Sequence, residues 1–373
     1  MNRYRRGISR RTFLELALST PLALSSMAQK PEATSPENIN ELLAKIRDES
    51  GLPSLAAAAM KDGELVALGA VGFRKVSSPI SVETSDKYHI GSCTKAMTAT
   101  LVAKFFEIGR LNFKTTLAEI FPERVSKMNE HFRTVTLESL LLHRSGMRVN
   151  AKFNHRKLPL IDQRLAYLDS VVNHPPEFPL GEYHYSNAGY VAVGAVLERV
   201  TGKPWETLMR TFIFKRLGMK SAGFGSPSRR GKVDQPWGHV WDDGKFQPHY
   251  DDNPAGIGPA GTVHCSISDY LKFADFHASC GNRPVGFLSP GTFLKLHRPP
   301  LGETYALGWG TGKRDWARGH VLTHVGSNNA NYFVVWIAPE INFSVAAATN
   351  AAGGNTPAFL DQAIVQLANQ CAR

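Results

Sequence analysis

The sequence predicts an α+β fold in which an antiparallel β-sheet, flanked by N- and C-terminal helices, carries an inserted all-α domain. Strand-like apolar runs occur near both ends of the chain, whereas the middle, from residue 92 to about residue 219, has helical patterns. Strands from the two ends cover their apolar faces most economically by joining one sheet. We therefore expect residues 29–90 and 255–373 to form the sheet domain, and residues 91–254 a mainly helical domain with surface loops.

The first 28 residues are predicted to be a bacterial export signal that is cleaved after Ala28. Five arginines precede an apolar run over residues 14–24, and Ser26 and Ala28 are small residues of the kind that a signal peptidase reads. Residues 9–14, SRRTFL, closely match the twin-arginine motif, with an ordinary Sec signal as the alternative. We expect export to the periplasm or the medium by the twin-arginine route. No later apolar run is long enough for a membrane helix, so we expect no transmembrane segment in the mature protein.

Composition and charge exclude several classes of function. The 373 residues are 43% hydrophobic and 20% charged, as in soluble globular proteins. The net charge of +11 falls to +7 without the first 28 residues, which hold five arginines and one glutamate. The chain has no Lys/Arg-rich tract and no aromatic RNA-binding signature, so we expect no nucleic-acid partner. Its 13 histidines are scattered and form no His-Glu-x-x-His motif, so we expect neither a metal nor another cofactor.

The folded part is expected to begin with a helix and a hairpin. Residues 41–48 are amphipathic, which predicts a helix with one apolar side. Residues 55–60 and 64–73 are apolar runs on either side of Asp62-Gly63. Asp-Gly between two such runs is a strong hairpin signal, so these runs are predicted to be antiparallel strands.

Helices are predicted to fill the middle of the chain. They cover residues 92–106, 137–143, 188–200 and 204–217, and a glycine follows each of them closely, as at a helix C-cap. Residues 225–260 are rich in Gly, Pro, Asp and Trp, which predicts a long surface excursion.

The C-terminal part returns to strands. Residues 267–277 have a helical pattern, and residues 331–338 and 343–349 are apolar and β-branched, as in buried strands. Residues 357–369 are predicted to close the chain as a helix.

Ser92 and Lys95 are the first candidate catalytic residues. They lie three positions apart at the amino end of a predicted helix, so they share one face of it. A serine hydroxyl becomes a useful nucleophile when a neighbouring group takes its proton, and a lysine amine can do so. A capping serine with a solvated lysine would give the same spacing, so other segments must support this interpretation.

Two other segments supply the groups that a Ser-Lys site needs. Tyr185 and Asn187 lie just before a predicted helix, and His324 and Gly326 lie just before an apolar strand. Ser-x-x-Lys and Tyr-x-Asn each occur once in the chain. No Gly-x-Ser-x-Gly elbow is present, which argues against an α/β-hydrolase.

Together these segments resemble the serine hydrolases that include class C β-lactamases, D-alanyl-D-alanine carboxypeptidases and related esterases. The resemblance runs from about residue 38 to the C-terminus. It is carried, in the order typical of the family, by residues 89–95, 134–147, 183–190 and 214–219. It implies the β-lactamase/transpeptidase-like fold and a small-molecule or peptide substrate.

The resemblance also implies a role for each candidate residue. Ser92 attacks the carbonyl carbon and becomes acylated, and Lys95 or Tyr185 is the base that removes its proton. A tyrosine can act as that base only if a cation such as Lys95 favours its phenolate. Asn187 holds the substrate amide or Lys95.

The third motif is implied to contact the substrate through His324, Gly326 and Ser327. The backbone N–H groups of Ser92 and Ser327 form the oxyanion hole. Gly326 lets its strand approach the substrate closely.

This motif departs from class C β-lactamases, which carry Lys-Thr-Gly there. At neutral pH His324 offers a positive charge less reliably than lysine, and Val325 cannot donate the hydrogen bond that a hydroxyl gives to a substrate carboxylate. We therefore expect an exported serine hydrolase acting on an ester or amide, with a peptidoglycan-derived D-Ala peptide as one candidate substrate. A true class C-like β-lactamase is the alternative within the family. A penicillin-binding or scaffold protein with little turnover is the alternative of another class.

Other notable residues are assigned to structure rather than to chemistry. His143 and Arg144 lie in a loop of the family pattern and are expected to be structural. Cys93 is expected to be a buried thiol, and Cys265 with Cys280 is the one pair considered for a disulfide. Two interpretations, a place in the cleft and burial in the core, explain the presence of these aromatic residues equally well: Trp237, His239 and Trp309.

Overall fold

In the computed structural model, strands from both ends of the chain form one large sheet. The structure describes residues 35–152, 156–283 and 286–373. The predicted signal, residues 1–28 with its twin-arginine motif, lies outside these described residues.

The strands lie mainly towards the two ends of the described chain, with a run of helices between them. The strands are β1 Glu37–Asn38, β2 Ser54–Lys61, β3 Glu64–Gly72, β4 Lys87–His89, β5 Gly223–Phe224, β6 Gly238–Asp242, β7 Lys245–His249, β8 Val263–Ser266, β9 Gly310–Arg314, β10 Gly319–Ser327, β11 Tyr332–Ala338 and β12 Phe343–Thr349. The α-helices are α1 Asn40–Ser50, α2 Thr94–Glu107, α3 Leu117–Ile120, α4 Glu130–Arg133, α5 Leu137–Leu141, α6 Leu160–Val172, α7 Asn187–Thr201, α8 Trp205–Leu208, α9 Gly258–Gly261, α10 Ile267–Ala278, α11 Pro290–His297 and α12 Thr356–Cys371. Single 3₁₀ turns are Gly91–Cys93, Pro122–Arg124, Ala255–Ile257, Asp315–Ala317 and Pro339–Ile341, and a π-helical turn covers Met209–Phe214.

The large sheet has the strand order β1-β3-β2-β12-β11-β10-β9. Its neighbouring strands run antiparallel, except that β1 and β3 run parallel. The N-terminal β2 pairs with the C-terminal β12, with Ala56 opposite Ala348. This pairing confirms the predicted sheet built from both ends, and Asp62 and Gly63 turn the predicted hairpin with φ of +51° and +88°.

Helices cover both faces of this sheet. Helices α1 and α12 pack on one face, and α10 packs on the other. Strands β2 and β12 are rich in alanine, and their side chains are almost all buried. Because helices cover both faces, these strands lack the polar alternation of a half-exposed sheet. Their small side chains let the helices approach closely.

Helix α2 is buried along almost its whole length and contacts α7 and α9. Its start is fixed by a small sheet of order β4-β8-β5, in which β4 immediately precedes the turn that carries Ser92. The N–H of Ile90 donates to the carbonyl oxygen of Val263 at 3.0 Å, which continues this pairing towards the site. Ser92, on the 3₁₀ turn before α2, and Lys95, in the first turn of α2, therefore lie at the amino end of a buried helix.

Three sequence predictions need correction. His324 and Gly326 do not precede a strand but lie within β10, because polar residues interrupt the apolar run that would have marked it. The predicted excursion over residues 225–260 contains the β6–β7 hairpin and reaches the buried helix α9. The helix expected over residues 204–217 is α-helical only over α8, and the chain then continues as the π-helical turn.

Ser35–Arg373 forms one compact unit, and the division into a sheet domain and a helical domain stays a prediction. Within the described ranges, no helix is both long and apolar enough to span a bilayer. The cysteines are free thiols, so Cys265 and Cys280 are not joined in this structure, and Cys93 is buried as expected.

Candidate active site

Ser92 lies on the 3₁₀ turn that leads directly into α2. Gly91 has a φ of +48°, and a Cβ atom there would lie 2.3 Å from the backbone nitrogen of Ser327. Glycine is therefore required, both for the left-handed backbone and for the close approach of β10. One helical turn later, Lys95 places its Nζ 3.0 Å from Ser92 Oγ, as the spacing predicts.

Lys95 is fully buried, and its amine has three polar neighbours. Its Nζ lies 3.0 Å from Ser92 Oγ, 2.7 Å from Asn187 Oδ1 and 2.8 Å from the carbonyl oxygen of Ala260. The last two atoms can only accept hydrogen bonds. A neutral amine would therefore direct its two N–H groups at Asn187 and Ala260, and its lone pair at the hydroxyl of Ser92.

The protein environment shifts the pKa values of the two candidate bases in opposite directions. Burial lowers the pKa of Lys95 well below its usual range, because desolvation disfavours the ammonium, and the Cys93 thiol opposes this shift only in part. Burial raises the pKa of Tyr185, although a hydrogen bond with Ser92 opposes the rise. Lys95 Nζ lies 4.8 Å from the centroid of the Tyr185 ring. These surroundings favour a neutral amine beside a neutral phenol, so they do not favour a phenolate base.

Asn187 is the first residue of α7, and its neighbours hold its side chain. The hydroxyl of Ser186 caps the helix by accepting the N–H of Gly189 at 2.9 Å. Asn187 Nδ2 donates to Asn150 Oδ1 at 2.9 Å. Because its nitrogen is engaged there, the amide presents its oxygen to Lys95.

Strand β10 is in direct backbone contact with the turn that carries the serine. A Cβ atom at Gly326 would lie 1.9 Å from the carbonyl oxygen of Ile90 and 2.7 Å from the backbone nitrogen of Ser92. Backbone atoms cannot move aside as a flexible side chain can, so this position admits only glycine. The contact brings the backbone of Ser327 next to that of Ser92, as the predicted oxyanion hole requires.

His324 is buried on β10. Its Nδ1 lies 2.8 Å from the carbonyl oxygen of Val325, which can only accept, so Nδ1 carries the hydrogen. Its Nε2 accepts from the hydroxyl of Tyr305 at 3.1 Å. Burial is the main cause that lowers the pKa of His324 to about 3. The third motif therefore presents no fixed positive charge at neutral pH.

Asp252 links the segments on the two sides of the site. Its Oδ1 accepts from Asn328 Nδ2 at 2.9 Å and lies 3.2 Å from Nε2 of the buried His89. Nδ1 of His89 accepts the N–H of Gly91 at 3.1 Å, so the hydrogen of the neutral ring is on Nε2, which lies near Asp252 without forming an aligned hydrogen bond. This bridge ties the end of β4, before Ser92, to the residue that follows Ser327.

Sequence reasoning missed several groups around the predicted residues: the carbonyl of Ala260 and the side chains of Asn150, Asp252 and Tyr305. They come from segments that are remote in the chain, and no motif marks them. The run Asp251-Asp252-Asn253 in the predicted excursion was the one available signal. It could not show which part of the chain these residues face.

The aromatic residues considered for the cleft have structural explanations. Trp309 is fully buried in the core, and buried His239 places Nδ1 2.8 Å from the carbonyl oxygen of Asn350. Trp237 packs under Lys75, whose Nζ lies 4.0 Å from its ring centroid. Among the residues that the structure describes, no three His, Cys, Asp or Glu side chains gather as metal ligands would.

Comparison with solved structures supports the predicted fold. The D-amino acid amidase from Ochrobactrum anthropi SV3 has a TM-score of 0.69 and 19% identity, over 89% of this chain and 98% of that one. The class C beta lactamase from Rhodobacter sphaeroides has a TM-score of 0.69 and 18% identity, over 89% of this chain and 99% of that one. These likenesses confirm the α+β fold of the β-lactamase/transpeptidase type.

Comparison of sequences identifies the family. Penicillin-binding protein 4 of Amycolatopsis lactamdurans is 28% identical over 340 residues, which are 88% of this chain and 88% of that protein. The sequence profile of the Beta-lactamase family matches residues 39–370, nearly the whole of the described chain. The chain therefore belongs to the Beta-lactamase family, whose members are serine hydrolases.

Proposed function

We propose that this protein is an exported serine hydrolase that forms an acyl-enzyme at Ser92 with an ester or amide substrate. The observation that carries the proposal is the set of partners around Lys95 Nζ. The obligate acceptors on Asn187 and Ala260 take two N–H groups of a neutral amine and leave its lone pair for the hydroxyl of Ser92. A serine needs such a neighbour to become a nucleophile.

In the acylation step, Ser92 Oγ forms a bond to the substrate carbonyl carbon, and its proton passes to Lys95 Nζ. The backbone N–H groups of Ser92 and Ser327 stabilise the negative oxygen of the tetrahedral intermediate. The bond to the leaving group then breaks, and Tyr185 donates its proton to the departing oxygen or nitrogen. Lys95 then returns the proton to Tyr185, so that both residues end the step uncharged.

Deacylation reverses these roles. A water molecule attacks the acyl carbon and loses a proton to Lys95, and the bond from that carbon to Ser92 Oγ breaks. The proton returns to Ser92, and the acid product leaves. Within this scheme Lys95 is the base and Tyr185 the proton carrier, because burial lowers the pKa of the amine and raises that of the phenol.

The uncharged site favours substrates without a carboxylate beside the scissile bond. His324 is neutral, and Val325, which is 42% exposed, offers no hydroxyl. A carboxylate placed against them would lose hydration and gain no charge-assisted hydrogen bond in return. We therefore propose neutral esters and amides as the main substrate class. A D-Ala peptide stays in the test panel, since a penicillin-binding protein is among the relatives.

The two alternatives differ in turnover and substrate. A class C-like β-lactamase has support from a neighbour of that name, but His324 and Val325 do not favour its carboxylate-bearing substrates. A scaffold protein that is never acylated would have no need of a buried amine held against a serine hydroxyl, whereas turnover separates a penicillin-binding protein from a hydrolase.

Export rests on the N-terminal sequence. Residues 9–14 match the twin-arginine motif, and the apolar run and the small residues that follow fit a cleavable signal. Replacing Arg10 and Arg11 with lysine should retain the precursor in the cytoplasm of a bacterial host. Undiminished export of that variant would favour the Sec route instead.

The experiment that tests the nucleophile is labelling with a fluorescent fluorophosphonate and a fluorescent penicillin. We expect fluorophosphonate labelling of the wild type and of Ser85→Ala, which changes an exposed serine, and no labelling of Ser92→Ala by either probe. Labelling that survives Ser92→Ala would refute this nucleophile.

The substrate class is then tested with p-nitrophenyl esters, amino acid amides, a D-Ala-D-Ala peptide and a chromogenic cephalosporin. Labelling without turnover of any of these would favour the binding protein.

A further inference from the structure

His143 is buried in the wall of the site, yet the proposed chemistry does not use it. Its side chain is 1% exposed, and its φ of +58° lies in the left-handed region that residues other than glycine rarely adopt. Such backbone strain persists where the surrounding structure over-determines it, and often at functional sites. The surroundings of His143 are the segment that carries Tyr185.

Two hydrogen bonds join His143 to the residues on either side of Tyr185. The carbonyl oxygen of His143 accepts the N–H of His184 at 2.8 Å. Its Nδ1 accepts the N–H of Ser186 at 3.0 Å. One residue thus holds the backbone of Tyr185 from both flanking positions.

The imidazole ring also packs against the phenol itself. The centroid of the His143 ring lies 4.4 Å from that of Tyr185 and 4.8 Å from that of Tyr305. Tyr305 in turn donates its hydroxyl to His324 on β10. His143 therefore fills the space behind Tyr185, where the second and third motifs meet.

Packing alone does not account for a histidine here. Because Nδ1 accepts a hydrogen bond, the hydrogen of the neutral ring is on Nε2, and within the described chain that buried atom has no hydrogen-bond partner. An unpaired N–H in the core is unfavourable, and an apolar side chain would fill the space without it. Burial keeps the pKa of His143 well below its ordinary range, which preserves the lone pair on Nδ1. What the histidine adds is this acceptor for Ser186.

We propose that His143 is a positioning residue that holds Tyr185 beside Ser92. This inference rests on the proposed function, because it assigns to His143 the alignment of the proton carrier in acyl transfer. His143 acts through the backbone around Tyr185 and does not touch the substrate.

The test compares the labelling rate of His143→Asn, His143→Gly and His143→Ala with that of the wild type. Asparagine tolerates a left-handed backbone and places an acceptor near the position of Nδ1, whereas glycine tolerates the backbone and has no acceptor. Alanine removes the same acceptor but keeps a Cβ atom. The second-order rate constant with a fluorophosphonate, the end-point stoichiometry and the melting temperature are measured for each protein.

We expect His143→Asn to label within about threefold of the wild-type rate, and the Gly and Ala variants to label about tenfold to a hundredfold more slowly at full stoichiometry. A purely structural role would lower the melting temperature or the stoichiometry and leave the rate of the folded fraction unchanged. Gly or Ala variants that label at the wild-type rate, or an Asn variant as slow as they are, would overturn the proposal. If one of the two acceptor-less variants does not fold, the other decides. A wild type that does not label at all would instead reject the proposed function.

Discussion

Replacing Lys95 with methionine is expected to change how the stability of this protein depends on pH. Lys95 is fully buried, contacts Ser92, Asn187 and Ala260, and has a pKa well below that of a free lysine. In the unfolded chain the same amine has a pKa of about 10.4. Between these two pKa values the unfolded state binds a proton that the folded state does not. The free energy of unfolding therefore rises with pH in this window.

The size of the effect follows from this difference of one proton. Each pH unit inside the window changes the free energy of unfolding by about 1.4 kcal/mol. From pH 7 to pH 9 the wild type should therefore gain stability relative to Lys95→Met, by that amount for each pH unit that lies above the folded-state pKa. The neighbouring groups do not disturb this window, since His324 has a pKa of about 3 and burial raises the pKa values of Tyr185 and Cys93.

Urea unfolding at pH 7, 8 and 9 measures this slope, with Lys45→Met as the matched control for an exposed lysine. The free energy of unfolding of Lys45→Met should depend on pH as that of the wild type does. Only that of Lys95→Met should show a different slope. The absolute stability of Lys95→Met at any one pH is less informative, because the variant also leaves the oxygens of Asn187 and Ala260 without a donor. Parallel curves for the wild type and Lys95→Met would show that Lys95 keeps its proton on folding, and would refute the neutral amine.

Further substitutions address the other parts of the site. Val325→Thr should raise kcat/KM for a carboxylate-bearing peptide about tenfold, because it adds one hydrogen bond to a charged group, and should leave kcat/KM for a neutral ester unchanged. No gain on any carboxylate-bearing substrate would contradict this prediction. Gly326→Ala should slow fluorophosphonate labelling about a hundredfold, because its Cβ would overlap the carbonyl of Ile90 and displace an oxyanion donor; near-normal labelling would argue against that role for β10. Asp252→Ala should destabilise the protein by about 2 kcal/mol in urea unfolding, since Asn328 Nδ2 would lose its carboxylate acceptor, and an unchanged midpoint would argue against this link.

The predicted elements that match the structure are those with an unbroken apolar pattern. Each of these elements buries a continuous apolar face, so the spacing of its apolar residues reflects its geometry. They are the hairpin β2–β3, the strands β11 and β12 and the helices α1, α10 and α12. The sequence pattern does not reveal β10, because residues that line the site replace apolar ones along it. In residues 225–260 the glycines and prolines indicate surface turns, whereas α9 is buried against α2 and α7.

Motif spacing and apolar periodicity are local properties, and they suffice to predict the family, the sheet made from both chain ends and the residue types expected in the site. The electrostatic surroundings of these residues, by contrast, are visible only in the folded protein. Burial lowers the pKa of Lys95, and its amine donates to the carbonyl oxygen of Ala260, which lies 165 positions away in the chain. The alignment of Tyr185 likewise depends on His143, a residue of another loop. Such contacts follow from how remote segments pack, and no spacing within a motif encodes them.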